Sequence, residues 1–400
     1  MLIFFAGFLF YVFLLMGLTA AHLARLRLAK TYPPTVRWAV AVIVPCKGHN
    51  DPRFEDNLFS IINQDYAGPA QFVFCVESDA DTATPMLRAL AHQFSNVQIC
   101  IAGPAVHSAQ KIFNVLQGMA CAPSADIFLI ADADIQPHAT WLQEMVAPFQ
   151  NPQISAVTGY YRRLPAQPHF QLGDYLAGVF TAVLTILTAD NRVESLWGGS
   201  MALRKAVLDK YNLYEYLSTQ VVDDLALMRV WHQYRLKRHF APNCTLKSYC
   251  NMSTQDSIEW LARQFQYMQI YFKGLYGLLV LSILPCSLLA LGLPVVTVYG
   301  LVSQDWLVMA GSIGAWLLAL GVGWLLRLAA PVNPASVAPG DRPYRLLPWL
   351  LVTPLAAIGA GWALLKTIRR VKNGRLTMHW RDVTYRVDIH TGRVAQIIRE

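Results

Sequence analysis

Two carboxylates follow a short apolar segment near the middle of the chain. Asp132 and Asp134 lie in the run IFLIADADIQP (127–137), whose first residues predict a buried strand. Two like charges at the end of a buried strand are costly unless a positive group lies between them. Carboxylate oxygens with no His or Cys beside them suit a hard divalent cation. We therefore expect Asp132 and Asp134 to bind Mg²⁺ or Mn²⁺ carried by a nucleotide diphosphate.

Polar residues also follow the first two predicted strands. Lys47 lies in the turn PCKGHNDP (45–52), and Glu77, Asp79 and Asp81 lie in CVESDADTA (75–83). In a doubly wound sheet such turns lie beside a bound base or ribose, and carboxylates there accept hydrogen bonds from a uracil N–H or from ribose hydroxyls. Each motif alone is equally compatible with a solvated loop.

Two more acidic residues precede an apolar segment with helical spacing. Asp223 and Asp224 lie in STQVVDDLALMRVWHQYRLKR (218–238), at a predicted helix N-terminus. One acidic residue is sufficient to cap a helix. One of the two is therefore a candidate general base.

An aromatic, Gln-rich helical segment leads into the C-terminal apolar region. In IEWLARQFQYMQIYFKG (258–274), Arg263, Gln266 and Tyr267 are candidates for lining the entrance for a diphosphate or an acceptor. Packing against a bilayer surface explains the same pattern.

The elements that position these residues alternate between strand and helix. Apolar segments of strand type, WAVAVIVP, AQFVFCV, VQICIA and DIFLIAD, alternate with helical segments such as Leu87 to Phe94 across residues 38–272. This alternation predicts an α/β domain with a mostly parallel, doubly wound sheet. Ligands bind such sheets at the carboxyl ends of the strands.

The composition predicts a membrane protein. Of the 400 residues, 54% are hydrophobic and 14% charged, which is unusual for a soluble enzyme. We expect an uncleaved N-terminal transmembrane anchor at 1–24, a cytosolic domain at 38–272, transmembrane or interfacial helices at 273–366, and a basic C-terminal tail at 367–400. A cleaved signal peptide is the alternative for the first segment, although its basic residues follow the apolar run. Segment 176–189 predicts a core or interfacial helix.

The apolar segments 275–302, 306–326 and 346–365 are each long enough to span a bilayer. Three crossings would place the basic segment KTIRRVKNGR (366–375) outside, against the positive-inside rule. One of the three is therefore expected to lie in the interface or to re-enter. The basic residues flank the membrane segments, which suits an anionic lipid surface and a phosphate-bearing substrate, not nucleic acid, and the bacterial inner membrane is the expected location. The seven cysteines show no C-x-x-C spacing and predict reduced thiols.

Taken in order, four segments resemble the inverting, metal-using glycosyltransferases of family two. They are more similar still to the ceramide glucosyltransferase branch and to related bacterial hopanoid-type enzymes. The segments are PCKGHNDPRFEDNLFSIINQDY (45–66), QKIFNVLQG (110–118), GGSMALRKAVLD (198–209) and MHWRDVTYRV (378–387). The resemblance implies a GT-A-like nucleotide-diphospho-sugar transferase domain with transmembrane helices, and it places Lys47, Lys111 and Asn114 in the donor site.

The family has three acidic sites. The resemblance assigns the second to Asp132 with Asp134, as the metal and diphosphate site. It assigns the third to Asp224, as the base that takes a proton from the acceptor hydroxyl. At the first site the branch has an Asp where this chain has Ser78, so the uridine contact is expected from the neighbouring Glu77, Asp79 or Asp81.

The family's Q/R-x-x-R-W motif also differs here. The chain keeps the first Arg as Arg263 but has Gln266 and Tyr267 in place of the Arg and the Trp. The tail residues Trp380, Arg381, Tyr385 and Arg386 predict a cytosolic or interfacial flap, or a plain amphipathic surface.

The resemblance implies transfer of a sugar, with glucose favoured, from a UDP-sugar to the hydroxyl group of a membrane lipid with inversion. Ceramide-like lipids, diacylglycerol and hopanoids are the candidate acceptors. Two alternatives stay open: a processive polysaccharide synthase, and a catalytically silent membrane protein that binds nucleotide sugars.

Overall fold

The computed structural model describes residues 12–13, 16–21, 23, 32–33, 35, 37–48, 51, 53–167, 169–189, 195–329, 344–372, 374–380 and 382–399. The predicted anchor at 1–24 falls largely outside the described residues, as do His49 and Asn50 of the first turn and Arg381 of the tail.

A seven-stranded mixed sheet forms the centre of the molecule, in the order β3-β2-β1-β4-β6-β5-β7. Its strands are β1 (Val40–Pro45), β2 (Ala70–Val76), β3 (Val97–Ile101), β4 (Ile127–Ala131), β5 (Ile154–Pro165), β6 (Ser200–Arg204) and β7 (Lys237–Cys250). The first four strands match the predicted apolar segments closely. Strands β1 to β4 are parallel neighbours, as are β5 and β7, which confirms the predicted α/β architecture.

Helices cover both faces of this sheet. They are α1 (Phe54–Ile62), α2 (Thr84–Gln93), α3 (Gln110–Ala120), α4 (Trp141–Val146), α5 (Leu172–Ala189), α6 (Lys205–Lys210), α7 (Leu213–Leu217), α8 (Asp224–Tyr234) and α9 (Thr254–Tyr271). Alternate residues of β1 belong to different core clusters, with Val42 and Val44 on one face and Ala41 and Ile43 on the other. A strand buried on both faces is expected to be apolar throughout, which is why β1 and β4 lack an alternating pattern.

Strand β6 is antiparallel to both of its neighbours. Its first residue, Ser200, pairs with Ala131, the last residue of β4. The chain therefore enters β6 at the carboxyl edge of β4, and the preceding turn lies directly beside Asp132. This reversal in an otherwise mostly parallel sheet brings the Gly198–Gly199 pair to the edge where ligands bind.

The C-terminal tail folds into a second sheet. Its antiparallel strands are β8 (Val371–Lys372), β9 (Arg375–Trp380), β10 (Val383–Asp388) and β11 (Val394–Arg399), in the order β11-β10-β9-β8. One face is apolar and buried, with Leu376, Met378 and Tyr385 in the same core cluster as helices α3 and α8. The tail is thus an integral part of the α/β domain's core.

Three long apolar helices follow α9: α10 (Lys273–Ser303), α11 (Trp306–Ala329) and α12 (Leu346–Arg369). Together with α5 they are the four helices, within the described part of the chain, that are long and apolar enough to cross a membrane. Most of α5 is buried inside the protein, between the sheet and α12, so its contacts are those of a core helix. The apolar faces of α10 and α11 are largely exposed.

Helix α12 contacts both the α/β domain and the two apolar helices before it. On the side of α10 and α11, the Ser287 hydroxyl donates to the Ala357 carbonyl oxygen and Trp349 Nε1 donates to the Gly323 carbonyl oxygen at 2.8 Å. Just before the first turn of α12, the Tyr344 hydroxyl donates to the Asp174 carbonyl oxygen at 2.8 Å. At its middle, Gly359 faces the Phe180 ring of α5. In its last turn the Thr367 hydroxyl donates to the Ala262 carbonyl oxygen at 3.3 Å. Helix α12 therefore joins the α/β domain to the pair formed by α10 and α11.

Candidate active site

A cleft of about 1000 Å³ lies at the carboxyl edge of β1, β2 and β4. Eleven of the thirteen site residues predicted from the sequence line it: Lys47, Glu77, Asp81, Lys111, Asn114, Asp132, Asp134, Asp223, Asp224, Arg263 and Tyr267. Parallel strands end at a common edge, so residues far apart in sequence converge there.

Asp132 and Asp134 lie at the floor of the cleft, directly after β4. The Asp132 amide donates to the Gly199 carbonyl oxygen at 3.1 Å, which fixes the turn. The Lys111 ammonium, from the first turn of α3, lies 2.8 Å from Asp132 Oδ1. Burial raises the pKa of Asp132 to about 6, against the opposing effect of Lys111 and with a further increase from Asp134. A nearby positive charge therefore stabilises the ionised form of Asp132 and Asp134, as expected from their position after a buried strand.

Lys111 joins the two acidic sites of the cleft. Its ammonium also lies 3.6 Å from Asp223 Oδ2 and donates to the Gly198 carbonyl oxygen at 3.3 Å. Burial alone would lower the pKa of Lys111, but attraction to Asp132 and Asp223 outweighs it and raises that pKa above its ordinary value. Lys111 therefore stays charged at neutral pH.

Asp223 and Asp224 have different surroundings. Asp223 is fully buried and caps α8, because its carboxylate accepts a hydrogen bond from the Asp224 amide. Asp224 is partly exposed in the cleft and accepts from the amides of Gly198 at 3.0 Å and Leu225 at 2.7 Å. Burial, with the Asp223 charge beside it, raises the pKa of Asp224 to about 7, against the effect of Lys111. Such a carboxyl group can exchange a proton near neutral pH.

The Gly198–Gly199 turn is packed tightly against both pairs of acids. A Cβ on Gly198 would lie 2.7 Å from Asp223 Oδ1, and one on Gly199 would lie 2.7 Å from Asp132 Oδ2. Neither position has room for a side chain without moving a carboxylate. This close approach explains the two consecutive glycines in the GGSMALRKAVLD segment.

The opposite end of the cleft is formed by the loops after β1 and β2. Asp81 Oδ1 accepts from the amides of Gly48 at 2.8 Å and Ala83 at 2.9 Å, so it ties the two loops together. Glu77 lies 3.3 Å from the Arg399 guanidinium and Lys47 lies 3.3 Å from Asp382. These side chains offer a nucleoside several donors and acceptors.

Asp79 and Gln266 do not line the cleft, and those two predictions need correction. The Asp79 carboxylate is exposed and pairs with Arg88 of α2 instead. Gln266 is completely buried, and its Nε2 donates to the Thr377 carbonyl oxygen of β9 at 3.2 Å. Arg263, one turn earlier on α9, faces the cleft, as does Tyr267.

Strand β5 contributes residues that sequence reasoning missed. Tyr160, Tyr161 and Arg163 line the cleft beside Trp197, and the rings of Tyr161 and Trp197 stack with centroids 4.5 Å apart. A long strand carrying consecutive aromatic and basic residues, GYYRRLP, was the available signal. The rings of Tyr160, Tyr161 and Trp197 form an aromatic wall, with Tyr161 near Asp134 and Tyr160 near Asp224.

The tail sheet closes one side of the cleft, through Met378, His379, Trp380, Asp382 and Tyr385. The Tyr385 hydroxyl accepts a hydrogen bond from the Gln110 amide at the start of α3, at 3.2 Å. The Arg399 guanidinium donates to Gln110 Oε1 at 3.1 Å as well as lying near Glu77. The predicted flap is therefore a wall of the cleft, anchored beside Lys111.

A second cluster of polar side chains lies away from the cleft. His138, Glu144 and Cys244 are close enough to share a metal ion. However, His138 Nδ1 is 2.9 Å from Thr140 Oγ1 and its Nε2 is 3.1 Å from the Asn243 carbonyl oxygen. Both ring nitrogens are thus engaged in hydrogen bonds that hold the loop after β4.

Comparison with known proteins agrees with this geometry. The model of glycosyl transferase family 21, the ceramide glucosyltransferase family, matches residues 9–389, nearly the whole chain. The match supports the sequence resemblance at the level of family 21. No curated protein matches the sequence.

Among solved structures, the chain is similar to a mannosyltransferase from Pyrobaculum calidifontis in complex with GDP-Man and Mn²⁺. The two share 18% identity with a TM-score of 0.50, over 91% of this chain and 99% of that one. This likeness confirms the GT-A-like fold. A more limited likeness, with 16% identity and a TM-score of 0.37 over 57% of this chain and 79% of that one, is to glucosyl-3-phosphoglycerate synthase from Mycobacterium tuberculosis in complex with Mn²⁺ and UDP-glucose.

Proposed function

Because the chain belongs to glycosyl transferase family 21, we propose that it transfers a hexose, with glucose preferred, from a UDP-sugar to the hydroxyl group of a membrane lipid. The observation that carries this proposal is the convergence, in one cleft, of a charged floor and a base. Asp132, Asp134 and Lys111 form the floor, and Asp224 faces the same space. Inversion follows if Asp224 and the departing diphosphate lie on opposite faces of the sugar.

The residues at the floor fit a divalent cation. Asp132 and Asp134 offer hard carboxylate oxygens, and the Lys111 ammonium already lies against one of them. Since the pKa of Asp132 is raised by burial and by Asp134, a divalent charge would stabilise the ionised pair. We propose that these two residues hold Mg²⁺ or Mn²⁺, which when bound offsets the negative charge of the leaving diphosphate.

The chemistry of the chain's own residues is a single displacement. Asp224 takes the proton of the acceptor hydroxyl, whose oxygen forms a bond to the anomeric carbon. The bond from that carbon to the diphosphate oxygen breaks, and its electron pair leaves with UDP. Lys111 holds Asp132 and Asp223 in place while the aromatic wall of β5 excludes water from one side. We assign the uridine end to Lys47, Glu77 and Asp81.

The apolar helices support a lipid acceptor. The aromatic side of the cleft includes Trp260 of α9, the helix that leads directly into α10. Helices α10 and α11 expose large apolar side chains such as Leu281, Val302 and Leu307. A surface of that kind requires a bilayer, which brings the cleft to the height where a lipid hydroxyl is presented. Ceramide-like lipids, diacylglycerol and hopanoids are the acceptors we propose.

We propose further that α10 and α11 cross the bacterial inner membrane as a hairpin and that α12 lies along the cytosolic interface. The contacts of Tyr344, Gly359 and Thr367 hold three points along this segment against the catalytic domain, while α12 also packs against α10 and α11. This arrangement returns the tail to the same side as the catalytic domain. The basic segment 366–375 then obeys the positive-inside rule, and its charge is available to anionic lipids.

The test uses membranes from cells that express the chain, supplied with labelled UDP-glucose or UDP-galactose and a panel of lipids. We expect one labelled glycolipid, and we expect both Asp224→Asn and Asp134→Ala to abolish its formation. A labelled polymer would support a polysaccharide synthase instead. Binding of UDP-sugar without turnover on any lipid would support a silent binding protein, and near-normal turnover by Asp224→Asn would move the base elsewhere.

A further inference from the structure

The positive charges of the cleft divide into two groups. Lys47 and Lys111 each lie within 4 Å of a carboxylate. Arg163 of β5 and Arg263 of α9 also line the cleft, but among the described residues neither guanidinium has a carboxylate within ion-pair distance. Two unpaired cations in a cleft otherwise rich in acids predict an anionic ligand.

Arg163 is the more unusual of the two, because its Nε is buried and has no hydrogen-bond partner. Its Nη1 donates to the Met252 sulfur at 3.5 Å, and the Tyr161 hydroxyl is a further neighbour of the guanidinium. The guanidinium carbon lies 5.4 Å from the centre of the Tyr161 ring and 5.3 Å from that of Trp260. Aromatic faces orient a guanidinium but do not satisfy its N–H groups.

Position 266 of α9, where the family motif has an arginine, places no positive charge in the cleft. The side chain of Gln266 points from α9 into the tail sheet, where Nε2 bonds to Thr377, and it does not reach the cleft. Arg163 reaches the same cleft from β5, between Tyr161 and Trp260. Strand β5 thus supplies a second arginine to the cleft beside Arg263 of α9.

We propose that Arg163 binds the terminal phosphate of the UDP-sugar, the phosphate that carries the sugar, and that it does so in place of a second arginine on α9. This inference rests on the proposed function. Glu77 and Asp81, which we assign to uridine, line one end of the cleft. Arg163 lies close enough to Asp134 for the two charges to attract each other. The terminal phosphate is the anionic group that reaches this side.

The same contact assists departure of UDP. As the bond between the anomeric carbon and the terminal phosphate oxygen breaks, the electron pair remains on that oxygen. A planar guanidinium donates two N–H groups to such a phosphate at once. Arg163 is held ready for this by its two aromatic neighbours, so little side-chain entropy is lost on binding.

The experiment compares the binding of UDP and UMP to the purified full-length protein in detergent with saturating Mn²⁺. Arg163→Gln is expected to weaken UDP binding by about tenfold to a hundredfold, as for loss of charged hydrogen bonds, and UMP binding by less than about threefold. The UDP affinity of Arg163→Lys is expected to lie between those of the wild type and Arg163→Gln, because lysine keeps the positive charge but cannot donate two parallel N–H groups.

The matched control is Arg162→Gln, the next residue on the same strand. Arg162 is buried too, but its guanidinium carbon lies 5.5 Å from the centre of the Trp349 ring and it does not line the cleft. We expect it to leave the UDP-to-UMP affinity ratio unchanged. Thermal melting of each variant identifies misfolding, and Arg163→Lys carries the test if Arg163→Gln does not fold.

Equal loss of UDP and UMP affinity, or no loss of either, would overturn the role of Arg163. Normal lipid glycosylation by Arg163→Gln with an unchanged KM for the donor would do the same, while leaving the proposed function intact. Conversely, UDP binding that depends on Arg163 in a protein that glycosylates no lipid would overturn the proposed acceptor and support this contact. If the wild-type protein binds neither UDP nor UDP-glucose, both proposals fall.

Discussion

The protonation state of Asp224 predicts how turnover depends on pH. Its pKa is raised to about 7 by burial and by the charge of Asp223, so below that pH the group is largely protonated and cannot accept a proton. A group with a pKa of 7 is about one-tenth ionised at pH 6 and about nine-tenths ionised at pH 8. We therefore expect kcat/KM to rise about tenfold between these pH values and then to level off.

Removing the neighbouring charge tests the cause of this shift. Asp223→Asn keeps a side chain that can cap α8 but removes the charge that raises the pKa of Asp224. We expect the rising limb of the profile to move to lower pH by on the order of one unit. The matched control is Asp209→Asn, an acid-to-amide change at an exposed carboxylate that pairs with Lys205 outside the cleft. This control is expected to leave the profile unchanged.

The assay is initial-rate glycolipid formation in membranes from pH 5.5 to 9, at saturating Mn²⁺ so that the carboxylates we propose as metal ligands stay ionised. A flat profile between pH 6 and 8 would refute Asp224 as a base with a raised pKa. If the rising part of the pH–rate profile of Asp223→Asn moves to higher pH or does not move, the electrostatic coupling of Asp223 and Asp224 is refuted. This holds even if Asp224 proves essential.

Two further predictions concern the membrane and the glycine turn. In intact cells, an impermeant thiol reagent is expected to label Asp305→Cys, at the exposed α10–α11 turn, but not Gln396→Cys in the tail. Labelling of the tail variant would instead place α12 across the bilayer. Gly198→Ala places a Cβ 2.7 Å from the Asp223 carboxylate, so kcat/KM is expected to fall at least about tenfold. Gly274→Ala, where no atom lies within 4 Å of the new Cβ, is the control, and an equal effect of both alanines would contradict the steric argument.

The acidic sites could be predicted from the sequence because their signals are local. Asp132 and Asp134 directly follow an apolar strand, and Asp224 begins a helix, so chain neighbours alone place them at element ends. The parallel sheet then brings those ends to one edge. The same reasoning gave the β strands with close boundaries, since a buried strand is apolar over its whole length.

The direction of individual side chains could not be predicted in this way. Gln266 and Arg263 lie three residues apart on α9, yet only Arg263 faces the cleft, because the rotation of a helix is set by what it packs against. Arg163 was missed for a related reason. When both faces of a strand are buried, its sequence does not indicate which face meets the cleft. The ring beside Arg163, that of Trp260, belongs to a helix almost a hundred residues later.

The tail and α12 depend on contacts that no sequence window contains. The bond between the Gln110 amide and the Tyr385 hydroxyl joins residues 275 positions apart, and it turns an expected flap into a wall of the cleft. The apolar pattern of α12 is typical of a spanning segment. Gly359 and Thr367 also bring it into contact with α5 and α9, and from these contacts we propose that it lies along the interface.

Helix α9 connects these parts mechanically. Its Glu259 binds both Lys366 and Arg370 at the end of α12. One turn further on, Arg263 faces the cleft, and the next turn holds Gln266 against the tail sheet. The end of α12, the tail sheet and Arg263 of the cleft therefore contact or lie on successive turns of a single helix. Because a helix transmits displacement along its axis with little bending, a detergent that shifts α12 is expected to weaken donor binding as well as access for the proposed lipid acceptor.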